Sequence, residues 1–272
     1  MSEKNSKILL IIQARIGSTR LPGKIFLDLC GKPLLIRMYE RVKAAKLIDD
    51  IVIATTKDVS DNKVEELCKL ENIKYFRGNT EDLLDRHFEA AVNFGATDLV
   101  KIPSDCPLID PGVIDKVLQF YISNKNKYDY VSNLHPATFP DGNDVEVMPI
   151  KTLEIAFNES TLQMEREHMT PYIWENPHRF RLGNVKWESG DDYSMTHRFT
   201  IDYYEDYLFI KRIYEELYNK NKLFTLKDIL KLLKEKPEIM EINKKYAGVN
   251  WYSKHLNDLK TITINQTKII NE

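Results

Sequence analysis

Short apolar runs alternate with longer amphipathic segments through the first 135 residues, and few folds accept that rhythm. Strand character is read at 8–13, 51–55, 74–76, 99–102 and 130–132. Helical segments lie between them. One opens at Pro33 and carries Leu34, Leu35, Met38 and Val42 on one face. A second covers 62–70. A third, capped by Asn79 or Thr80, has Leu83, Leu84, Phe88, Ala91 and Val92 on its apolar face. A fourth starts at Asp110-Pro111 and runs through Val113, Val117 and Phe120. Such alternation implies right-handed crossovers and a mostly parallel sheet between helical layers, a three-layer Rossmann-like α/β fold.

The rhythm changes after Asn133. Residues 134–197 read as an insertion on the sheet, with helical pieces at 150–158 and 164–175 and a strand at 180–187. A strand at 198–201, ending at Asp202, returns to the core pattern. The next helix turns Tyr207, Ile210, Ile213, Tyr214 and Leu217 inward. This gives a main domain over 1–220 and a C-terminal extension over 221–272, helical across 225–246 and ending in a loose polar tail over 256–272.

The first strand runs straight into Gln13-Ala14-Arg15-Ile16-Gly17-Ser18-Thr19-Arg20-Leu21-Pro22-Gly23-Lys24. Two glycines, two hydroxyls, two arginines and a lysine in one loop suit a polyanion. Glycines let backbone N–H groups approach phosphate oxygens, and Arg and Lys neutralise their charge. The loop is no P-loop, because five residues separate Gly17 from Gly23 and Ile25 follows Lys24 where a hydroxyl is needed. It is no dinucleotide fingerprint either. Its place at the end of the first strand is where open α/β sheets bind ligands. Arg15, Arg20 and Lys24, with the amides near Gly17 and Ser18, are therefore read as the groups that meet a small polyanion.

The formal net charge is only −2, so the basic loop is a local feature and the chain has no nucleic-acid signature. Cys30, Cys68 and Cys106 are scattered and form no disulfide framework or C-x-x-C pair. The apolar run behind the polar N-terminus is too short for a signal peptide or a membrane span. A cytoplasmic protein is expected. No H-E-x-x-H and no G-x-S-x-G is present.

Two aspartates follow strand-like runs. Asp105, after 99–102, is read either as a Mg²⁺ ligand or as a turn cap. Asp202, after 198–201, is read either as a second ligand or as a helix N-cap. If their strands are neighbours, both face the loop.

The loop resembles the first motif of the sugar-activating cytidylyltransferases: an apolar strand, Ala-Arg, a Gly- or Ser-containing turn, then Pro-Gly-Lys. Ser18 to Lys24 is similar to the 3-deoxy-manno-octulosonate cytidylyltransferases. The longer form from Gln13 is more similar still to the spore-coat polysaccharide (SpsF-type) branch. The resemblance runs from about residue 8 to about residue 215. It implies a nucleotidyltransferase that uses CTP and Mg²⁺, with Ala14, Arg15, Gly17, Ser18, Arg20 and Lys24 on the nucleotide. Arg15, Lys24, Asp105 and Asp202 are then catalytic, and the two aspartates hold the metal. Many relatives have Thr-Pro after the second aspartate, where this chain has Tyr203-Tyr204. The segment from Arg77 to Arg86 resembles a Gly-x-x-Asp stretch leading to Asp-Arg, which implies Arg77, Asn79 and Asp82 near base or ribose; a capped, solvated helix start fits the same residues. Asp141, Asp144 and Glu146 sit in a Pro-Asp-Gly-x-Asp-x-Glu stretch, and Glu165, Arg166 and His168 in a Glu-Arg-Glu-His-x-Thr-Pro-Tyr stretch. Both resemble segments of the SpsF-type branch, which implies a pocket for an acidic, sugar-like acceptor; periodicity alone makes 165–168 an exposed helix face. The resemblance also implies a homodimer built on 134–197, with Phe139, Met148, Tyr172, Trp174, Phe180 and Trp187 as interface candidates. Two other functions compete: a glycosyltransferase using a finished nucleotide-sugar, although no Asp-x-Asp is present, and a non-catalytic nucleotide sensor.

Overall fold

The computed structural model describes residues 6–270. Of the expected extension, Asn271 and Glu272 lie outside the described residues, as do residues 1–5 of the expected main domain. β1 (Ile8–Gln13) leads through the basic loop and a 3₁₀ turn at Lys24–Phe26 to a hairpin of β2 (Asp28–Leu29) and β3 (Lys32–Pro33). Then come α1 (Leu34–Val42), β4 (Asp50–Thr56), α2 (Asn62–Leu70), β5 (Tyr75–Gly78) and α3 (Leu83–Asn93). β6 (Asp98–Pro103), α4 (Pro111–Ser123) and β7 (Tyr130–Ser132) complete the alternating part. β8 (Glu146–Pro149), α5 (Ile150–Glu159), α6 (Gln163–His168), α7 (Pro171–Trp174) and β9 (Leu182–Asn184) follow, then α8 (Tyr204–Leu217) and α9 (Leu226–Glu235).

The main sheet has seven strands in the order β5-β4-β1-β6-β8-β7-β9. Only β8 runs against its neighbours; the remaining pairs are parallel. β1 is covered on both faces, which is why it reads as a continuous apolar run rather than an alternating one. Leu10 and Ile12 join a core with α1, α4 and α8. Leu9 and Ile11 join the opposite core with α3 and α5. The chain moves outward from β1 through β4 to β5, then returns to β6 on the other side of β1. That reversal opens a crevice beyond the carboxyl ends of β1 and β6.

Several elements differ from expectation. Residues 134–197 supply β8 and β9 to the main sheet itself. The helix expected over 164–175 is two, because Met169 takes a left-handed φ of 73° between α6 and α7. Asp82, not Asn79 or Thr80, caps α3 by accepting the Asp85 N–H at 2.8 Å; Val92 points to solvent. Residues 198–201 form no strand. Arg198 makes a single bridge to Asp141, and the rest of the segment spends its backbone on loops. The segment read as a loose tail is packed down, with Leu259 and Ile262 buried against the α3–α5 side.

The aromatic residues expected at a dimer interface are mostly internal. Phe139, Met148, Trp174 and Phe180 are buried within the chain's own core. Trp187 packs edge-on against Phe139 at 5.1 Å, and Tyr172 against Phe180 at 6.1 Å. No described helix is long and apolar enough to cross a membrane.

Candidate active site

The basic loop leaves β1 at the crevice and is pinned from below. The Ala14 N–H donates to the Ala54 carbonyl at 3.0 Å, and the Ile16 N–H to Asp61 Oδ1 at 2.7 Å. The Gly23 N–H closes the loop on the Ile16 carbonyl at 3.1 Å. Gly23 has a φ of +70°, which a side chain would strain. Arg15, Gly17, Thr19 and Arg20 remain exposed on the rim.

Lys24 is not exposed. It is buried to 9% relative exposure, and its ammonium donates to Asp105 Oδ2 at 3.3 Å, Asp202 Oδ1 at 3.0 Å and the Ile201 carbonyl at 2.6 Å. Arg20 and Arg198 reach the other oxygen of Asp202 at 2.9 and 3.1 Å. Burial pushes the Asp202 carboxyl up, but Lys24, Arg20 and Arg198 outweigh it and hold it at about 2. Nearby, burial drives Asp141 well above the usual carboxylate range despite Arg198. Burial and the neighbouring Asp105 lift Asp144 to about 7. Four carboxylates thus crowd one end of the crevice, and two of them are poised to lose their excess charge.

Local latches assemble this group. The Phe199 N–H donates to the Asp141 carbonyl at 2.7 Å and the Ile201 N–H to the Asp105 carbonyl at 2.9 Å. Gly142 lies so close to this segment that a Cβ would meet the Phe199 carbonyl carbon at 2.6 Å. Asn133 holds the 143–145 backbone at both its carbonyl and its N–H. Of the two readings of Asp202, the helix cap is not the one its geometry takes up. Asp206 accepts the N–H groups of Asp202 and Tyr203, both at 3.0 Å.

No cluster of three His, Cys, Asp or Glu side chains arranged to hold a metal is found among the described residues. Two carboxylates converging on one ammonium nevertheless suit a hard cation. Mg²⁺ commonly takes one or two protein carboxylates and completes its shell with phosphate oxygens and water.

The residues around this group line a cleft of about 360 Å³. Ala14, Arg15, Gly17, Ser18, Arg20, Lys24, Asp105 and Asp202 all line it, as do Asp141, Asp144, Glu146 and His168. Arg77, Asn79, Asp82, Glu165 and Arg166 do not. Arg77 spends its guanidinium on Thr56, Asn62, Asp58 and Glu65, beside β5. Asn79 closes a turn by accepting the Glu81 and Asp82 N–H groups. Asp82 pairs with Arg166 at 2.6 Å, and Arg166 also donates to the Phe157 carbonyl. Glu165 caps α6 through the Leu162 N–H.

From the same stretch, Thr80, Glu81, Leu83 and Arg86 reach the cleft instead. Arg86 is buried, and its Nε and Nη1 have no hydrogen-bond partner. Burial and nearby Arg15 lower its pKa to about 10. Gln13, also on the cleft wall, leaves its Oε1 buried and unpartnered. Nothing in the linear pattern separates these residues from their neighbours; only the turn of α3 and the face of β1 do. At the far end Lys101 pairs with Glu146 at 2.7 Å, and the Tyr130 hydroxyl donates to Glu146 at 2.5 Å. The His168 ring stacks on Trp251 at 3.9 Å.

The family described as Cytidylyltransferase matches residues 9–246. An uncharacterised protein of Methanocaldococcus jannaschii, MJ1063, is 36% identical, over 87% of this chain and 94% of its own length. The spore coat polysaccharide biosynthesis protein SpsF of Bacillus subtilis is 30% identical, over 85% and 95%. The structure of a cytidylyltransferase from Leptospira borgpetersenii superposes with a TM-score of 0.82 at 34% identity, over 86% of this chain and 97% of that one. With a switch-point cleft that joins a basic loop to paired aspartates, the chain belongs to the cytidylyltransferase family.

Proposed function

We propose that this protein transfers the cytidylyl group of CTP to a sugar acid and releases pyrophosphate, in the cytoplasm, for surface polysaccharide synthesis. One observation carries the reading: Lys24 binds Asp105 and Asp202 directly beneath a rim of Arg15 and Arg20. The arginines neutralise the triphosphate and orient it. The acceptor hydroxyl oxygen bonds to the α-phosphorus in line, the bond from that phosphorus to the β-phosphate oxygen breaks, and the hydroxyl proton leaves to solvent. Such chemistry asks for positioning and charge stabilisation rather than a protein nucleophile. When bound to Asp105 and Asp202, Mg²⁺ supplies positive charge at phosphate oxygens and favours ionisation of the attacking hydroxyl.

Gln13 Oε1 offers an acceptor and Arg86 offers donors, the complement of cytosine's amine and its ring acceptors. Asp141, Asp144, Glu146 and His168 face the acceptor. Glu165 and Arg166 act from behind by fixing α6, Asp82 and Asn79 by fixing the start of α3, and Arg77 by fixing the end of β5. A two-fold homodimer belongs to this reading; it uses surface other than the buried Phe139, Met148, Trp174 and Phe180, and a dimeric mass by light scattering is expected.

The test is pyrophosphate release from CTP and Mg²⁺ with a panel of 3-deoxy-2-keto sugar acids. Release is expected with at least one of them. Asp105→Asn and Asp202→Asn should each slow it at least ~100-fold, because the amide keeps an oxygen and loses the charge that attracts the cation. Equal turnover in either variant removes that aspartate from the mechanism. Release with no panel member rejects the reaction.

A further inference from the structure

The segment after the family match crosses the far end of the cleft and is tied down on both sides of it. On one side the Arg198 guanidinium donates to the Val249 carbonyl, so the strap begins on the same arginine that holds Asp141 and Asp202. Gly248, at φ +79°, receives the Lys268 N–H on its carbonyl at 2.7 Å. On the other side the Glu175 carboxylate, just past α7, accepts the Lys260 and Thr261 N–H groups at 2.5 and 2.9 Å. Leu259 and Ile262 sink into the core beside these bonds. Asn250 stiffens the span between, accepting the Tyr252 N–H at 3.1 Å and donating to the Gln266 carbonyl at 2.8 Å.

Between the two anchors the strap presents Trp251 to the cleft. Its indole lies nearly parallel to the His168 ring, with centroids 3.9 Å apart and an interplanar angle of 15°. Tyr252 backs it at 4.6 Å and Trp174 at 6.3 Å. The pair is half-buried and rigidly supported. Burial drives the His168 pKa down to about 3, so the wall is uncharged near neutrality. The cleft that carries the basic loop therefore also carries a neutral aromatic pair together with the carboxyl oxygens of Asp141 and Asp144.

We infer that Trp251, stacked on His168, is the surface on which the acceptor's sugar ring lies, so that the C-terminal strap selects the acceptor. A pyranose ring has an apolar C–H face that gains by burial against an indole, while its hydroxyls need hydrogen-bond acceptors at the edge. The wall and the two aspartates supply both. A straight-chain acid without a ring has no face to offer it. This inference rests on the proposed function, and it gives part of that site to Trp251, which lies beyond the residues that the family matches.

The experiment measures pyrophosphate release by the full chain with CTP, Mg²⁺ and the sugar-acid panel, 3-deoxy-manno-octulosonate and N-acetylneuraminate among them. Trp251→Ala should raise KM for the acceptor at least ~10-fold while KM for CTP stays within ~2-fold. Trp251→Phe, which keeps a stacking ring, should restore most of the loss. CTP titration by calorimetry on both variants reports that the nucleotide half is intact. An unchanged acceptor KM in Trp251→Ala overturns the wall and leaves the reaction standing. Loss of CTP affinity with an unchanged acceptor KM overturns it too, because the indole would then serve the nucleotide. Absence of release by the wild-type chain with every acid rejects the reaction and the wall together.

Discussion

Lys24 holds its ammonium between Asp105 and Asp202, with the Ile201 carbonyl as a third partner. A lysine in that place does two jobs. It keeps two carboxylates close together, and in the proposed reaction it would donate to an incoming phosphate. Burial costs its charge, but both aspartates repay this, and its pKa is raised. Lys24→Ala is therefore expected to affect the fold as well as the reaction. Two partly buried carboxylates would lose a charge-assisted partner, worth about 2 kcal/mol in stability. Urea unfolding checks the first effect and pyrophosphate release the second. A variant that loses turnover with an unmoved urea midpoint would show that the carboxylates relax at no cost. Arg20 is placed differently, exposed and shared between Asp202 and the Tyr203 ring at 5.3 Å, so its removal should weaken CTP binding with little change in stability.

At the scale of elements, the N-terminus of α8 is the joint on which the site turns. Asp206, fully buried, accepts two N–H groups at the helix start. The same carboxylate pairs with Arg198 at 3.0 Å and receives the Asn243 amide at 3.0 Å. Arg198 in turn reaches Asp141 and Asp202. One side chain thus couples a helix cap, the C-terminal extension and the acidic end of the cleft. Asp206→Ala would strip the buried Arg198 guanidinium of its fully buried carboxylate partner and orphan two backbone donors together. A loss of about 3–5 kcal/mol is expected, as for other broken buried pairs. Thermal unfolding reads it directly, and a shift of only a degree or two would deny α8 this role. The segment 198–202 depends on the same joint. Residues 198–201 are buried, which gives the segment the composition of a strand, yet its hydrogen bonds go to two loops.

At the scale of the whole molecule, buried histidines and buried carboxyls set opposing responses to acid. His87 is fully buried, and burial, helped by Arg86, lowers its pKa to about 3. Burial lowers His135 to about 4 and His168 to about 3. An unfolded histidine takes up its proton near 6.5. Between that value and the folded one, the unfolded chain binds protons that the native chain refuses. Their stabilisation is complete above pH 6.5 and is lost as pH falls from there toward 4 and then 3. For His87 alone the slope is about 1.4 kcal/mol per pH unit, with less from the partly exposed His135 and His168. Asp141 and Asp144, whose buried carboxyls hold protons that the unfolded chain has shed, act in the opposite direction over the same window, so the histidine contribution is read between pH 7 and pH 5.5 as a difference between the wild type and a histidine variant. His87→Gln should lose less stability than the wild type, or gain more, as pH falls through that window, read from the urea midpoints. The same change of midpoint with pH in both proteins would contradict it.

Local chemistry made much of this protein legible in one dimension. The apolar runs of β1, β4 and β6 and the amphipathic helices between them state a parallel sheet, because burial on both faces leaves a strand no polar side. The basic loop pointed to a polyanion, because phosphate neutralisation needs charge and close backbone at one place. Asp105 and Asp202 could be named as a pair, but not the bond that joins them, since Lys24 meets both across 81 and 178 residues of chain. Which side chains of the 77–86 stretch face the cleft was likewise open: Arg77 and Arg86 are both arginines beside polar neighbours, and only the packing of α3 against β5 turns Arg86 inward and leaves Arg77 outside. The C-terminal strap was the least readable part. Its polar composition favours solvent, and its order comes from distant partners, Arg198 and Glu175, that no local pattern reveals. Residue type and spacing determined the layers and the chemistry of the loop. The convergence of carboxylates, the inward arginine and the aromatic wall were decided by contacts between segments far apart in sequence, where the energy of burial and pairing is set by neighbours the chain meets only once it is folded.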